Sequence, residues 1–261
     1  MTFLIAFAWC LLGSAVAVAQ NDSASGPAAP VAIWHFDDSK DIGPRPPTYS
    51  AFKPTNTAKV FSGTGIVAKE TDFPKVDLRF DQGEAFTLEA WVNVKELKDG
   101  AYAYIVGKGR TGKPGYAAKN QNYALRLKGD KGVAAISFLF ASATTADKPG
   151  DWHRWTSTSG LSHAGWHHVA ITYTFGKSDS IRGFIDGKLV SGVWDMGGAT
   201  DRAPVTDADD ITLGTGNGGG ASNAFHGTLD EVAVWNVALP EGTLTGRYEF
   251  VPPRPSCKGP L

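Results

Sequence analysis

The chain has 261 residues, with 25 Lys and Arg against 26 Asp and Glu, a net charge of −1. That balance excludes the basic footprint of a nucleic-acid binder or of a protein held on an anionic membrane. The length supports a self-sufficient core, and the 2 cysteines cannot frame a small disulfide-built fold.

The first segment, MTFLIAFAWCLLGSAVAVAQ, carries an apolar run from Phe3 to Leu12 and then small residues ending at Ala17-Val18-Ala19. This is the order of a secretory signal cut before Gln20, although no Lys or Arg precedes the run. A membrane anchor needs roughly 20 apolar residues, and Gly13 to Ala19 is too small a continuation. Removal of residues 1–19 takes Cys10 and leaves Cys257 alone, so no internal disulfide forms. The expectation is export to the periplasm, cell surface or extracellular space. Residues 20–30 read as a polar, Pro- and Ala-rich linker, residues 31–250 as one domain, and residues 251–261, VPPRPSCKGPL, as a Pro-rich tail expected to begin a linker.

Within the domain, Val31 to Phe36 reads as a first strand, and Ser39 to Ala58, with Pro44, Pro46, Pro47 and Pro54, as a long surface loop. Lys59–Phe61 and Val76–Phe80 are short strand candidates. In Phe86 to Val94, FTLEAWVNV, the residues Phe86, Leu88, Ala90, Val92 and Val94 alternate with Thr87, Glu89, Trp91 and Asn93. Trp166 to Phe175 alternates likewise through Val169, Ile171, Tyr173 and Phe175. Both are strands with one buried face, and each face requires a second sheet to cover it. Between them lie strands at Ala101–Val106, Asn122–Leu127 and Val133–Phe140, then a polar loop from Asp147 to Ala164. Ile181–Ile185 and Leu189–Val193 are joined by Asp186-Gly187, a hairpin signal because both residues tolerate positive φ. Asp210–Leu213 and Ala224–Trp235 are strands, and Pro240–Tyr248 is a short helix with Pro in its first turn. The fold class is all-β: a two-sheet antiparallel jelly-roll sandwich with one short C-terminal helix.

The order and residues of these elements resemble the laminin-G-like or concanavalin A-like jelly-roll domains. The matching pieces are Trp34-His35-Phe36-Asp37, Phe86 to Val92, Tyr123-Ala124-Leu125, Trp166 to Ala170, Phe184 to Lys188, Ile211 to Gly214 and Phe225 to Val232. The resemblance implies a scaffold that binds sugars, other proteins or calcium at loop tips, and it extends to hydrolases. Fold alone does not choose among these.

The candidate sites divide by chemistry. Glucanases resembling this family carry E-x-D-x-x-E on one strand; that motif is absent, and Asp230-Glu231 point to opposite faces of a strand. Gly107 to Lys113 fits G-x-x-x-x-G-K, but Pro114 replaces the hydroxyl residue and no helix follows. Gly214, Gly216 and Gly219 fit G-x-G-x-x-G before a strand instead of a helix. Neither supports nucleotide binding. His163 and His167 lack the helix that would put their imidazoles on one face, so zinc is not indicated. Asp207, Asp209 and Asp210 form an acidic turn whose oxygens suit calcium, or a solvated turn with no metal. Trp152 and Trp155, with Arg154 between them and Asn120, Asn122 and Asn217 on nearby loops, suit a sugar, whose C–H face stacks on indole while its hydroxyls need donors and acceptors. The alternative is that these tryptophans pin the loop to the sheet. The functional expectation is a non-catalytic module binding glycan at loops, with a structural or protein-interaction domain of a surface protein as the alternative and glycoside hydrolysis behind both.

Overall fold

A computed structural model describes residues 29–36, 58–69, 77–216, 221 and 223–249. In chain order the strands are β1 (Ala32–Trp34), β2 (Lys59–Ser62), β3 (Ile66–Ala68), β4 (Ala85–Val94), β5 (Tyr102–Lys108), β6 (Tyr123–Asp130), β7 (Val133–Ala141), β8 (Trp152–Leu161), β9 (His167–Thr174), β10 (Lys177–Ile185), β11 (Lys188–Val190), β12 (Gly192–Met196), β13 (Ile211–Leu213) and β14 (His226–Trp235). One helix, α1 (Glu241–Glu249), follows. The first sheet runs β1-β14-β4-β9-β10-β11, with β2 also paired to β14, and the second runs β12-β8-β7-β6-β5-β13-β3. Strand neighbours are antiparallel throughout, giving the expected jelly-roll sandwich with its C-terminal helix.

The period-two faces set which side of each sheet is buried. Phe86, Leu88, Ala90, Val92 and Val94 of β4 and Val169, Ile171 and Tyr173 of β9 all enter the inter-sheet core. Tyr123, Leu125, Ile136, Phe138 and Phe140 meet them from the second sheet. Phe86 is central, 5.1 Å from Phe80, 5.2 Å from Phe175 and 5.7 Å from Phe138. Each such ring contributes about 1.5–3 kcal/mol by burial, so these strands hold the sandwich shut. Asp186 (φ 52°) and Gly187 (φ 71°) close the β10–β11 hairpin in the left-handed conformation their residue types allow.

Several boundaries differ from the sequence reading. The polar loop expected over Asp147–Ala164 contains β8. Its two faces both mix aromatic and polar residues, so no apolar stripe marks the alternation. Leu189–Val193 is not one strand: the chain leaves the first sheet after Val190 and enters the second at Gly192. Residues 77–80 form no strand, although Leu78 and Phe80 are buried. The expected signal, most of the linker, most of the Pro-rich loop and the tail lie outside the described residues.

The outer face of the first sheet is closed by α1. Ala170, Phe184, Ala233, Trp235, Leu239 and Leu244 form a second core there, and Tyr248 stacks on Trp91 at 5.8 Å. Beneath the helix Glu89, 1% exposed, accepts from Trp235 Nε1 at 2.9 Å and pairs with Arg247 at 2.6 Å and His168 at 3.1 Å. Burial pushes the Glu89 carboxyl up, but the His168 hydrogen bond and the charges of His168 and Arg247 outweigh it and hold the pKa below its usual value. Among the described residues no helix or strand lies over the outer face of the second sheet.

Candidate functional site

That open face is built by alternation. β5 presents Tyr102 and Tyr104, β6 presents Ala124, Arg126 and Lys128, β7 presents Ala135, Ser137 and Leu139, and β8 presents Trp152, Arg154 and Thr156. The registers place Tyr104, Arg126, Ser137 and Thr156 in one row and Gly107, Ala124, Leu139 and Arg154 in the next. Ala124, Ala135 and Ser137 make a low floor, so long side chains from outlying strands converge above it. Arg154 on β8 brings its Cζ within 5.1 Å of the Tyr102 ring on β5. Asp195, at the register shift in β12, accepts from Arg154 Nε at 2.6 Å and from Lys128 Nζ at 3.4 Å.

Arg126 lies deepest. It is 5% exposed, its Cζ is 4.5 Å from the Tyr102 ring and 5.4 Å from that of Tyr104, and its Nη2 donates to Ser137 Oγ at 3.0 Å. Its Nε–H is buried without a hydrogen-bond partner. Burial pushes its pKa down, Tyr104 and Tyr102 oppose that, and the nearby Arg154 adds repulsion. At the next position along the face, Arg110 donates from Nη1 to the Tyr104 hydroxyl at 3.2 Å and lies 5.1 Å from the Trp152 ring. Trp152 is half-buried against Tyr104, Ala124, Leu139 and Met196.

Of the residues singled out from sequence, Trp152 and Arg154 come together here. Trp155 does not: it points the other way from β8 into the inter-sheet core and is 4% exposed, because its neighbours in alternation, not the loop polarity, fix its direction. Asn120 and Asn122 are also buried, 1% and 3% exposed. Asn120 donates to Asp207 and Asp209 at 3.0 and 2.9 Å, and Asn122 donates to Asp207 at 3.1 Å, so both amides serve a loop–loop junction and offer nothing to a sugar. Asn217 lies outside the described residues.

The same junction tests the calcium expectation. The Asp209 carboxylate accepts from the Thr111 hydroxyl, from Thr111 N at 3.1 Å, from Asn120 and from Asp210 N at 2.8 Å. Burial raises the Asp209 pKa, and the bonds from Thr111 and Asn120 more than reverse it. Asp210 pairs with Lys113 at 3.2 Å, and Lys108, fully buried, sends Nζ to the Asp209 carbonyl at 2.5 Å. Donors surround these carboxylates where a cation would need bare oxygens, so the arrangement does not fit calcium. Lys113, the lysine of the G-x-x-x-x-G-K run, is thereby paired with Asp210. No cluster of three or more His, Cys, Asp or Glu arranged for a metal occurs among the described residues.

Tyr102, Arg110, Arg126, Lys128 and Asp195 were not singled out by motif. The alternation in Asn122–Leu127, NYALRL, does place Arg126 opposite Leu125 and Leu127, and that signal suffices to put it on the outer face.

The profile of the concanavalin A-like lectin/glucanases superfamily matches residues 68–244. The chain belongs to this superfamily. Among solved structures, this superfamily member is similar to domain 4 of AbnA, a GH43 extracellular arabinanase from Geobacillus stearothermophilus, in complex with arabinotriose, at 16% identity over 84% of this chain and 97% of that one, TM-score 0.51. NanB with Optactamide matches at 14% identity over 86% of this chain and 28% of that one, TM-score 0.52. The CBM40 of the Ruminococcus gnavus IT-sialidase, bound to α2,3-sialyllactose, matches at 12% identity over 73% of this chain and 96% of that one, TM-score 0.48. At these identities the likeness is one of fold. No curated protein matches this superfamily member in sequence.

Proposed function

We propose that this is an exported, non-catalytic module that binds glycan on the outer face of the second sheet, beside Tyr102, Trp152 and Arg154. The observation that carries this reading is a half-exposed indole and phenol set among guanidinium groups on a broad sheet face that, among the described residues, no helix covers. Flat aromatic rings take the C–H face of a pyranose, and Arg donors take its hydroxyls. The arabinanase domain described with arabinotriose supports the view that a sandwich of this kind can hold a sugar. The test is retention of the protein on immobilised polysaccharides. Trp152→Ala should abolish retention while the melting temperature falls by no more than about 4 °C. Retention that survives both Trp152→Ala and Tyr102→Ala would remove the site from this face, and no retention on any glycan would leave the protein-interaction reading.

One arrangement favours a second reading, ester hydrolysis. Ser162 Oγ lies 3.0 Å from His167 Nε2, and His167 Nδ1 lies 2.7 Å from Asp186 Oδ2, the connectivity of nucleophile, base and orienting acid. Ser162 Oγ also contacts the Ala164 carbonyl at 3.1 Å, and Asp186 Oδ1 accepts His168 N at 3.0 Å, which suits a tie between the start of β9 and the β10–β11 turn. A fluorophosphonate probe should leave Ser162 unmodified; stoichiometric labelling lost in His167→Ala would establish the hydrolase instead.

A further inference from the structure

We infer that the ligand of this face is an acidic sugar, whose carboxylate is received by Arg126 and Arg154 between the rings of Tyr102 and Trp152. This rests on the glycan reading above and adds the chemical class. Arg126 is the reason. A guanidinium taken out of water needs an anion or a full set of acceptors, yet Arg126 is 5% exposed with neutral partners in Ser137 and Tyr104, an unused Nε–H and no carboxylate partner among the described residues. The aromatic faces of Tyr102 and Tyr104 stabilise the cation only in part.

The charge on the face points the same way. Arg110, Arg126, Lys128 and Arg154 converge there, and Asp195 is the carboxylate that pairs within the cluster; Asp130, two residues past Lys128, is exposed at the strand end. A neutral sugar would leave that excess uncompensated, whereas a carboxylate meets it with charge-assisted hydrogen bonds in a planar geometry that guanidinium matches. Asp195 shows that a carboxylate fits: its Oδ atoms already bridge Arg154 and Lys128 from the rim. It therefore also competes with an incoming acid for Arg154.

The experiment uses the whole protein and titrates polygalacturonate and alginate, each beside its methyl ester, with dextran sulfate as a control for bare charge. The acids should bind at least about tenfold more tightly than their esters, and 0.5 M salt should weaken them. Arg126→Met and Arg154→Gln should each lower affinity for the acids by roughly tenfold to a hundredfold, and Asp195→Asn should raise it. Near-UV circular dichroism checks each fold; Arg154 and Asp195 lie at the rim, so they decide the matter if Arg126→Met fails to fold. Equal binding of acid and ester, lost in Trp152→Ala, would overturn the carboxylate and leave the glycan reading. Dextran sulfate binding as tightly as the uronates would overturn it as mere polyanion attraction. Binding of no polysaccharide, charged or neutral, would overturn both.

Discussion

Replacing Trp155 with alanine separates the face that packs from the face that binds. The indole occupies a slot between two glycines: a Cβ on Gly183 would approach its Cη2 to 2.6 Å, and one on Gly192 would approach its Cζ2 to 2.1 Å. Those positions carry no side chain that can lean into the hole, and the surrounding backbone is fixed by pairing in both sheets. The truncation therefore belongs with unrelaxed cavities, about 3–5 kcal/mol for an aromatic to alanine change. At roughly 2–4 °C per kcal/mol for a domain of this size, the melting temperature should fall by about 6–20 °C. Urea unfolding followed by circular dichroism gives the free energy without relying on the fluorescence of the deleted ring. Trp152→Ala, on the half-exposed side of the same strand, should cost less than half as much. A loss under about 1 kcal/mol for Trp155→Ala, with the larger loss at Trp152, would refute this assignment of faces and return Trp155 to the ligand-facing role that its loop-like sequence suggests.

Other outcomes follow from the same contacts. Gly192→Ala should destabilise by about 1–3 kcal/mol, read in the same urea titration, since the new methyl overlaps the Trp155 ring. Glu89→Gln leaves His168 and Arg247 facing a neutral amide; about 3 kcal/mol should be lost, at the low end for a broken buried pair because Arg247 is 27% exposed and can turn to water. Glu89 and Asp209 both have folded pKa values held below the usual range. Each therefore contributes stability that is present above the unfolded value near 4 and is lost as pH falls through the folded one, so thermal melts should drop in acid, and less steeply in Glu89→Gln. Calcium or a chelator should move the melting temperature by less than about 1 °C; a rise of several degrees, as a saturating ligand produces, would refute the reading of Asp207, Asp209 and Asp210 as a junction already filled by donors.

How much was legible depended on whether a strand had one plainly apolar side. FTLEAWVNV and WHHVAITYTF do, and from them the sandwich and the buried rings of Phe86 and Tyr173 could be drawn from sequence. β8 does not: Trp152, Arg154 and Thr156 face one way and His153, Trp155 and Ser157 the other, so polarity suggested a loop. Read as a loop, the segment left Trp155 open between a ligand-facing role and packing onto the sheet, and the structure buries it. The acidic turn stayed open between calcium and a metal-free turn for a related reason, because its donors arrive from Thr111, Asn120 and Lys113, nearly a hundred residues away along the chain. The face at Arg126 was half-legible: alternation gives its direction, but the convergence of β5, β8 and β12 over small floor residues is a property of the assembled sheet.

At Arg126 stability and binding make opposite demands, which yields a last prediction. An unpaired buried donor costs about 1–3 kcal/mol, while two tyrosine faces return roughly 0.5–2 kcal/mol each. Methionine keeps the unbranched stem, offers sulfur to Tyr102 and Tyr104, and removes the orphan Nε–H; it leaves the Ser137 hydroxyl, fully buried, without its donor. These effects nearly cancel. Arg126→Met should melt within about 4 °C of the parent while losing its preference for acidic over esterified polysaccharide. If it instead loses more than about 3 kcal/mol with the acid preference intact, the guanidinium is a structural strut between two tyrosines. The physical case for a bound carboxylate would then be gone, since it rests on a cation whose burial the fold does not itself require.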